Sequence, residues 1–374
     1  MGDAFEIAAA VPLGDTYPAR AGEIKVLHTA LEHGFKKAAF LLGCEYYDKR
    51  QYEQATALFE HALQYEPENY MVYRTLAVAY YSHMNHRAEA LPLMRRALSM
   101  SDSEQLLYET VVLMDQMGST PEEKLRLLLP HLPAMRRDDL FVEVAKAYNQ
   151  AHQPEKAREV LMSHLFTACE GGEHAIADQY MFSFFQEGTR LEKAGEYAAA
   201  LERFTQALTL PSSLGAGIWN RTKYVPYRWH IALCLDALGR CAEASDIRRE
   251  IISIDVDFFS NNNLPELPYY QALAAEKEGL QQKAWNIMGT AKRNWTREIK
   301  RKDSGFFKTT PFFISFVQSA ADLREAQYDY LLGLVCLYEG EKEQAVELFS
   351  KACRLNADHL FCQYFRDELA DAAQ

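Results

Sequence analysis

Phe40, Tyr47, Arg74, Tyr81, Lys146, Asn149, Phe185 and Trp229 are the side chains whose types and helical spacing suit recognition chemistry. Aromatic rings supply large, rigid contact area, while a few cations and amides fix the register of a bound segment. Bond-making chemistry finds no comparable set. Gly171 and Gly172 are not followed by the Lys-Ser or Lys-Thr pair of a phosphate loop, and neither HExxH nor GxSxG occurs. The abundant carboxylates read as solvated helix surface, so no glycosidase-like acid pair is assigned. His83 and His86 lie on a turn, and His28 and His33 lack a matching carboxylate and third ligand, so no metal or other cofactor is expected. The chain reads as a non-enzyme.

Those recognition residues need elements to position them, and the spacing of small and bulky residues supplies the elements. Leu42, Gly43 and Tyr46 precede Ala55, Phe59, Ala62 and Pro67. A second copy reads Tyr73, Leu76, Ala77, Tyr80, Ala90, Met94 and Ala97, with 90 − 55 = 35 residues between equivalent alanines. That interval lies close to the ~34-residue period of the tetratricopeptide repeat, a pair of antiparallel helices that buries its apolar face only against its neighbours. The one-residue excess falls in the turn around Asn85, His86 and Arg87. Gly43 and Ala62 are placed where the two helices cross, with Tyr46 and Phe59 filling the space beside the crossing. Looser copies follow at Val144, Ala145, Tyr148, Ala157 and Leu161; at Gly188, Leu191, Ala200, Phe204 and Ala207; and at Ile231, Ala232, Leu235 and Ala244. A last good copy reads Leu332, Gly333, Ala345, Phe349 and Ala352. Leu107 to Leu132 and Tyr269 to Trp295 read as degenerate pairs.

The expected fold is therefore all-α: a right-handed superhelical solenoid of tetratricopeptide-like helix pairs with a C-terminal capping helix. Its divisions are an N-terminal extension over 1–19, the solenoid over 20–299, an aromatic inserted loop over 300–317, and the last repeat with its cap over 318–374. A helix near Glu23 to Glu32 seals the front end, and a lone helix from His359 to Leu369 caps the other with its polar side in water. Counting the register of the first helix of each pair puts Lys37, Phe40, Cys44, Tyr47 and Asp48 on the inner groove, then Met71, Arg74, Val78, Tyr81 and Ser82. Val142, Lys146, Asn149 and Gln150 follow, then Phe182, Phe185, Thr189 and Glu192, then Trp229, Leu233 and Asp236. Phe40 and Cys44 stand where chaperone-binding relatives carry Lys and Asn, so a clamp for a terminal carboxylate is not expected.

Composition narrows the function classes. The net charge of −12 excludes a broad nucleic-acid surface, which draws most of its affinity from clustered Lys and Arg. The single basic run, Lys292, Arg293, Arg297, Lys300, Arg301 and Lys302 around Trp295, reads as a solvated helix face, with a local anion or acidic-peptide contact as the sharper alternative. No apolar run is long enough to span a bilayer, so no membrane partner is expected. Met1 to Ala10 carries Asp3 and Glu6 where a secretory signal needs Lys or Arg, and export is not encoded in the chain. Seven scattered cysteines without a CxxC pair, at positions 44, 169, 234, 241, 336, 353 and 362, read as buried thiols in a reducing, cytoplasmic setting.

Three stretches break the rhythm: Thr167 to Ala177 with Glu170 and Glu173, Leu210 to Tyr224, and Lys302 to Phe316 with Thr309, Phe312 and Phe313. Four phenylalanines in eight residues, at 306, 307, 312 and 313, require burial, either folded back onto neighbouring helices as a plug or against a partner.

Beyond the repeats, Tyr17-Pro18-Ala19-Arg20, Tyr47-Asp48-Lys49-Arg50, Arg137-Asp138-Asp139-Leu140, Glu170-Gly171-Gly172-Glu173 and Thr309-Thr310-Pro311-Phe312-Phe313 resemble the carboxy-terminal repeat half of a group of large bacterial proteins. Their amino-terminal half is a β-rich domain of unknown function with a carbohydrate-active look. Cys169 departs from the Trp that the group carries before Glu-Gly-Gly-Glu. The resemblance implies that a β-rich half precedes Met1 or that the chain is a shortened member, and that the repeat half braces that domain, closes over its substrate or mediates homodimerisation. Two readings result. The first is a non-enzymatic scaffold that holds a protein or peptide partner, including a β-rich domain of the same gene product, in its groove. The alternative is an accessory module of a carbohydrate-active enzyme, with Glu170, Glu173 and the Thr309 to Phe313 loop near substrate.

Overall fold

Alanines seven residues apart, two helical turns, put a narrow strip on one helix that lets a second helix approach closely. In a computed structural model of the chain this strip recurs as Ala55/Ala62, Ala90/Ala97, Ala200/Ala207, Ala284/Ala291 and Ala345/Ala352, every one fully buried. The structure describes residues 21–167, 173–217, 221–256, 264–301, 316 and 319–371. Among these it is all-α, with no strand.

The described residues form two compact units. The first holds residues 21–117 and Phe316. Its helix α1 (Ala21–Glu32) packs on α2 (Ala38–Asp48), which pairs with α3 (Tyr52–Tyr65); α4 (Tyr70–Ser82) pairs with α5 (Arg87–Leu98), and α6 (Glu104–Gln116) follows. Asn69 starts α4 by accepting the Met71 amide at 3.1 Å, one of the donors a helix start leaves without a partner. The expected front seal is present as α1, where His28 meets the Tyr46 hydroxyl at 2.7 Å.

The second unit begins at Gly118. Its α7 (Pro121–Leu128) packs on α8 (Asp138–Gln150), and pairs then follow as α8 with α9 (Pro154–Met162), α10 (Glu173–Lys193) with α11 (Tyr197–Ala207), α12 (Val225–Ala237) with α13 (Cys241–Ser253), α14 (Leu267–Lys277) with α15 (Gln281–Glu298), and α16 (Ala320–Glu339) with α17 (Lys342–Leu355). The degenerate pair expected over Leu107 to Leu132 is not one pair within a unit, because α6 belongs to the first unit and the eight-residue α7 packs on α8. Buried Arg248 joins two successive hairpins, reaching Asp236 at 2.5 Å and Glu278 at 2.7 Å.

The helix crossing is tighter than residue size alone suggests. A Cβ on Gly43 would lie 2.6 Å from the Phe59 ring, on Gly188 2.6 Å from Phe204, and on Gly333 2.5 Å from Phe349. Glycine and ring are sixteen residues apart each time (59 − 43, 204 − 188, 349 − 333), so Phe59 lies on Gly43 rather than beside it.

The last helix, α18 (Leu360–Asp371), packs on α17 as the expected cap and also reaches beyond it. Besides α17 it contacts the first helices of several pairs in its unit: Phe361 meets Phe182 and Phe185 of α10, Phe365 meets Tyr269 of α14 and Tyr330 of α16, and Asp367 meets His152 just after α8. An aromatic stripe at Phe361, Tyr364 and Phe365 is more apolar surface than the end of a stack can cover, and it finds cover along the inner face. Beneath it lie groups with displaced protonation. Burial raises the Glu266 carboxyl to about 7, beside the Tyr330 hydroxyl at 3.4 Å, and burial lowers His359 to about 4.

Two outcomes are expected. Gly188→Ala forces its methyl into the ring of Phe204, which is fully buried between Phe185 and His230, and should cost about 1–3 kcal/mol in urea unfolding, with part regained in Gly188→Ala/Phe204→Leu. Because the folded state holds the Glu266 proton more tightly than the unfolded chain does, its contribution is full below about pH 4.5 and lost as pH rises through about 7. Glu266→Gln should therefore change little at pH 5 and stabilise by up to roughly 3 kcal/mol at pH 8, and equal effects at both pH values would refute the assignment.

Candidate binding groove

On the first unit, the inner-face positions divide between core and rim. Phe40 is buried with its ring 5.9 Å from Phe59, which removes it as a contact residue because it closes the α2/α3 interface. Tyr47 is half-buried, edge-on to Tyr52 and His83, and burial raises its hydroxyl to about 12, so it stays a neutral donor. Arg74 holds buried Glu109 by two bonds of 2.6 Å, a fork-to-carboxylate pair that fixes α4 against α6. Tyr81 is buried between Arg87 and Phe316, whose ring is 5.5 Å away. Phe316 itself is almost fully buried among Ala77, Val78, Leu106 and Leu113.

In the second unit several of the register positions meet the C-terminal segment of the chain itself. Lys146 reaches Asp358 at 2.9 Å and Glu143 at 2.5 Å; Gln150 donates to the Ala357 carbonyl at 3.1 Å; Phe182 and Phe185 receive Phe361 at 5.3 and 5.0 Å; Thr189 bonds Tyr364, and Lys193 pairs with Glu368. Burial opposes ionisation of Asp358, but the Lys146 ammonium outweighs it and holds the carboxyl below its ordinary value. Asn149 is fully buried and donates to Gln179 at 2.8 Å, joining α8 to α10, and Trp229 is core with Val225, Ile251 and Leu267. Asn149, Phe185 and Trp229 are thus enclosed by their own chain rather than open to a partner. Between α10, α11, α12 and α18 remains a cavity of about 260 Å³ lined by Thr189, Glu192, Lys193, Tyr197, His230 and Tyr364, with His230 bonded to Glu192 at 2.6 Å.

The sequence carried a signal for this. Phe361, Tyr364 and Phe365 stand at i, i+3 and i+4 of one helix, the spacing of a docking face rather than of a solvated cap.

Other assigned residues contribute less. Glu170, Thr309, Phe312 and Phe313 lie outside the described residues, as does Cys169, and Glu173 is the first residue of α10. Part of the basic run is paired: Lys292 takes Glu339 at 2.7 Å, and Arg297 and Arg301 share Glu298, while Lys302 lies outside the described residues. Of the described cysteines, Cys234, Cys336, Cys353 and Cys362 are buried free thiols, Cys44 is half-buried and Cys241 is exposed. Burial pushes the Cys44 thiol up to about 12, away from nucleophilic use. Among the described residues no cluster of His, Cys, Asp and Glu suits a metal ion, and no helix is long and apolar enough to cross a membrane.

Comparison with known proteins agrees on the repeat. Residues 40–104 and residues 326–359 each match a family described as tetratricopeptide repeat. Among solved structures, the chain is similar to one in a Naa15/Naa10 complex bound to HypK-THB, at 14% identity and a TM-score of 0.43, covering 93% of this chain and 62% of that one, so it spans less than two thirds of that chain's length. It is similar to a human IFIT1 dimer with m7Gppp-AAAA at 16% identity and 0.33, covering 86% and 72%, and to a tetratricopeptide repeat protein from Parabacteroides merdae at 16% and 0.31, covering 90% and 98%. Tetratricopeptide repeats thus stand at residues 40–104 and 326–359 of a chain whose described regular elements are all helices.

Proposed function

We propose that the chain is an interaction scaffold that binds a protein or peptide segment along the inner faces of its helix pairs. The observation that carries this reading is the set of contacts in the second unit: Phe182, Phe185 and Thr189 close on the amphipathic helix α18, and Lys146 and Gln150 hold Asp358 and Ala357 of the turn that leads into it. Such a face combines aromatic contact area with a few charged groups that set register, the composition of helix-in-groove recognition. On the first unit the corresponding rim is Tyr47 with the Arg74–Glu109 pair.

Arg74→Ala alone would strand the buried Glu109 carboxylate and destabilise by about 3–5 kcal/mol, confounding any binding result. The test therefore combines Tyr47→Ala with the paired change Arg74→Gln/Glu109→Gln. Peptides selected from a random library on the intact chain should bind this variant about tenfold more weakly while its thermal unfolding stays within a few degrees. Selection that yields no binder, or binders indifferent to the variant, would refute recognition through this face.

A further inference from the structure

Helix α18 is not packed as the core helices are. Each residue from Gln363 to Leu369 is half-buried, so the helix lies in its groove with one side toward solvent. Its hold on the inner face combines three aromatic anchors, Phe361, Tyr364 and Phe365, with three acid contacts: Asp358 on Lys146, Asp367 on His152 and Glu368 on Lys193. The acids are on the entering segment, and Lys146, His152 and Lys193 are on the groove. Arg366 of α18 pairs with its neighbour Asp367 and Lys146 is shared with Glu143, but these three ionic contacts across the groove all run from an acid on the segment to a base on the face, the charge complementarity of a ligand and its receptor.

We propose that the inner face of the second unit is a receptor for an acidic amphipathic helix with aromatic residues at i, i+3 and i+4, and that α18 is its resident competitor. The inference rests on the scaffold reading and adds the chemistry of the partner and the means of its control. A partner must displace α18, which competes from the same chain at an effective concentration on the order of millimolar. A site with intrinsic affinity near micromolar is then masked by roughly 100-fold or more, as for any protein whose binding-competent state is a minor population.

A fluorescent peptide of residues 356–371, with blocked ends, tests this on the full chain. Phe361→Ala/Tyr364→Ala weakens the resident helix and leaves Lys146, Phe182 and Phe185 intact. The peptide should bind this variant at least about tenfold more tightly than the unaltered chain, and using a peptide with Asp358→Lys should reverse the gain. Hydrogen exchange on the unaltered chain guards against a variant that fails to fold: α18 amides should exchange faster than those of α16 and α17. Equal protection across the three helices, or a folded variant that binds the peptide no better than the unaltered chain, would overturn the competitor. Binders selected through Tyr47 on the first unit report separately on the scaffold reading, so either idea can fail alone.

Discussion

The contact of a glycine against a phenylalanine ring sets the geometry of three of the helix pairs. At Gly43/Phe59, Gly188/Phe204 and Gly333/Phe349 the ring occupies the space of a missing Cβ, and the alanine strip on the second helix continues the close approach. Interiors of this density deform little, so the crossing holds each hairpin in one arrangement. Because a hairpin so built spends its small residues and its ring on the internal seam, the inner-facing side of its first helix must find cover elsewhere.

The two units find that cover from distant parts of the chain. In the second, α18 lies along the first helices of earlier pairs, and the turn before it joins Lys146 to Asp358 across 212 residues of sequence. In the first, Phe316 seats among residues of α4 and α6. A face with aromatic area and isolated charges is thus partly satisfied from within, and recognition becomes a matter of exchange between internal and external segments.

Much of this architecture was legible from residue spacing. Gly43, Phe59, Ala55 and Ala62 announced the crossing, and the register placed Lys146, Gln150, Phe182 and Thr189 on the inner face, because a 3.6-residue period and a roughly 34-residue repeat are local properties. What occupies that face is a long-range property that local spacing does not encode. Phe40, Asn149 and Trp229 fell on inner-face register yet serve the core, since one turn of a helix offers neighbouring positions to both the groove and its own hairpin. The depth to which neighbouring helices enclose such positions was not deducible from position in the repeat. Phe361, Tyr364 and Phe365 carried the missing signal, which a reading of the last helix as a solvated cap passes over.

The place of Phe316 has a consequence for biogenesis. Its ring completes a packing that otherwise draws on residues before position 118, so a chain emerging from the ribosome has made nearly two hundred further residues before that slot can be filled. Until then Val78, Tyr81 and Leu106 lack the cover of that ring, so the first unit completes its packing only after most of the residues of the second have been made.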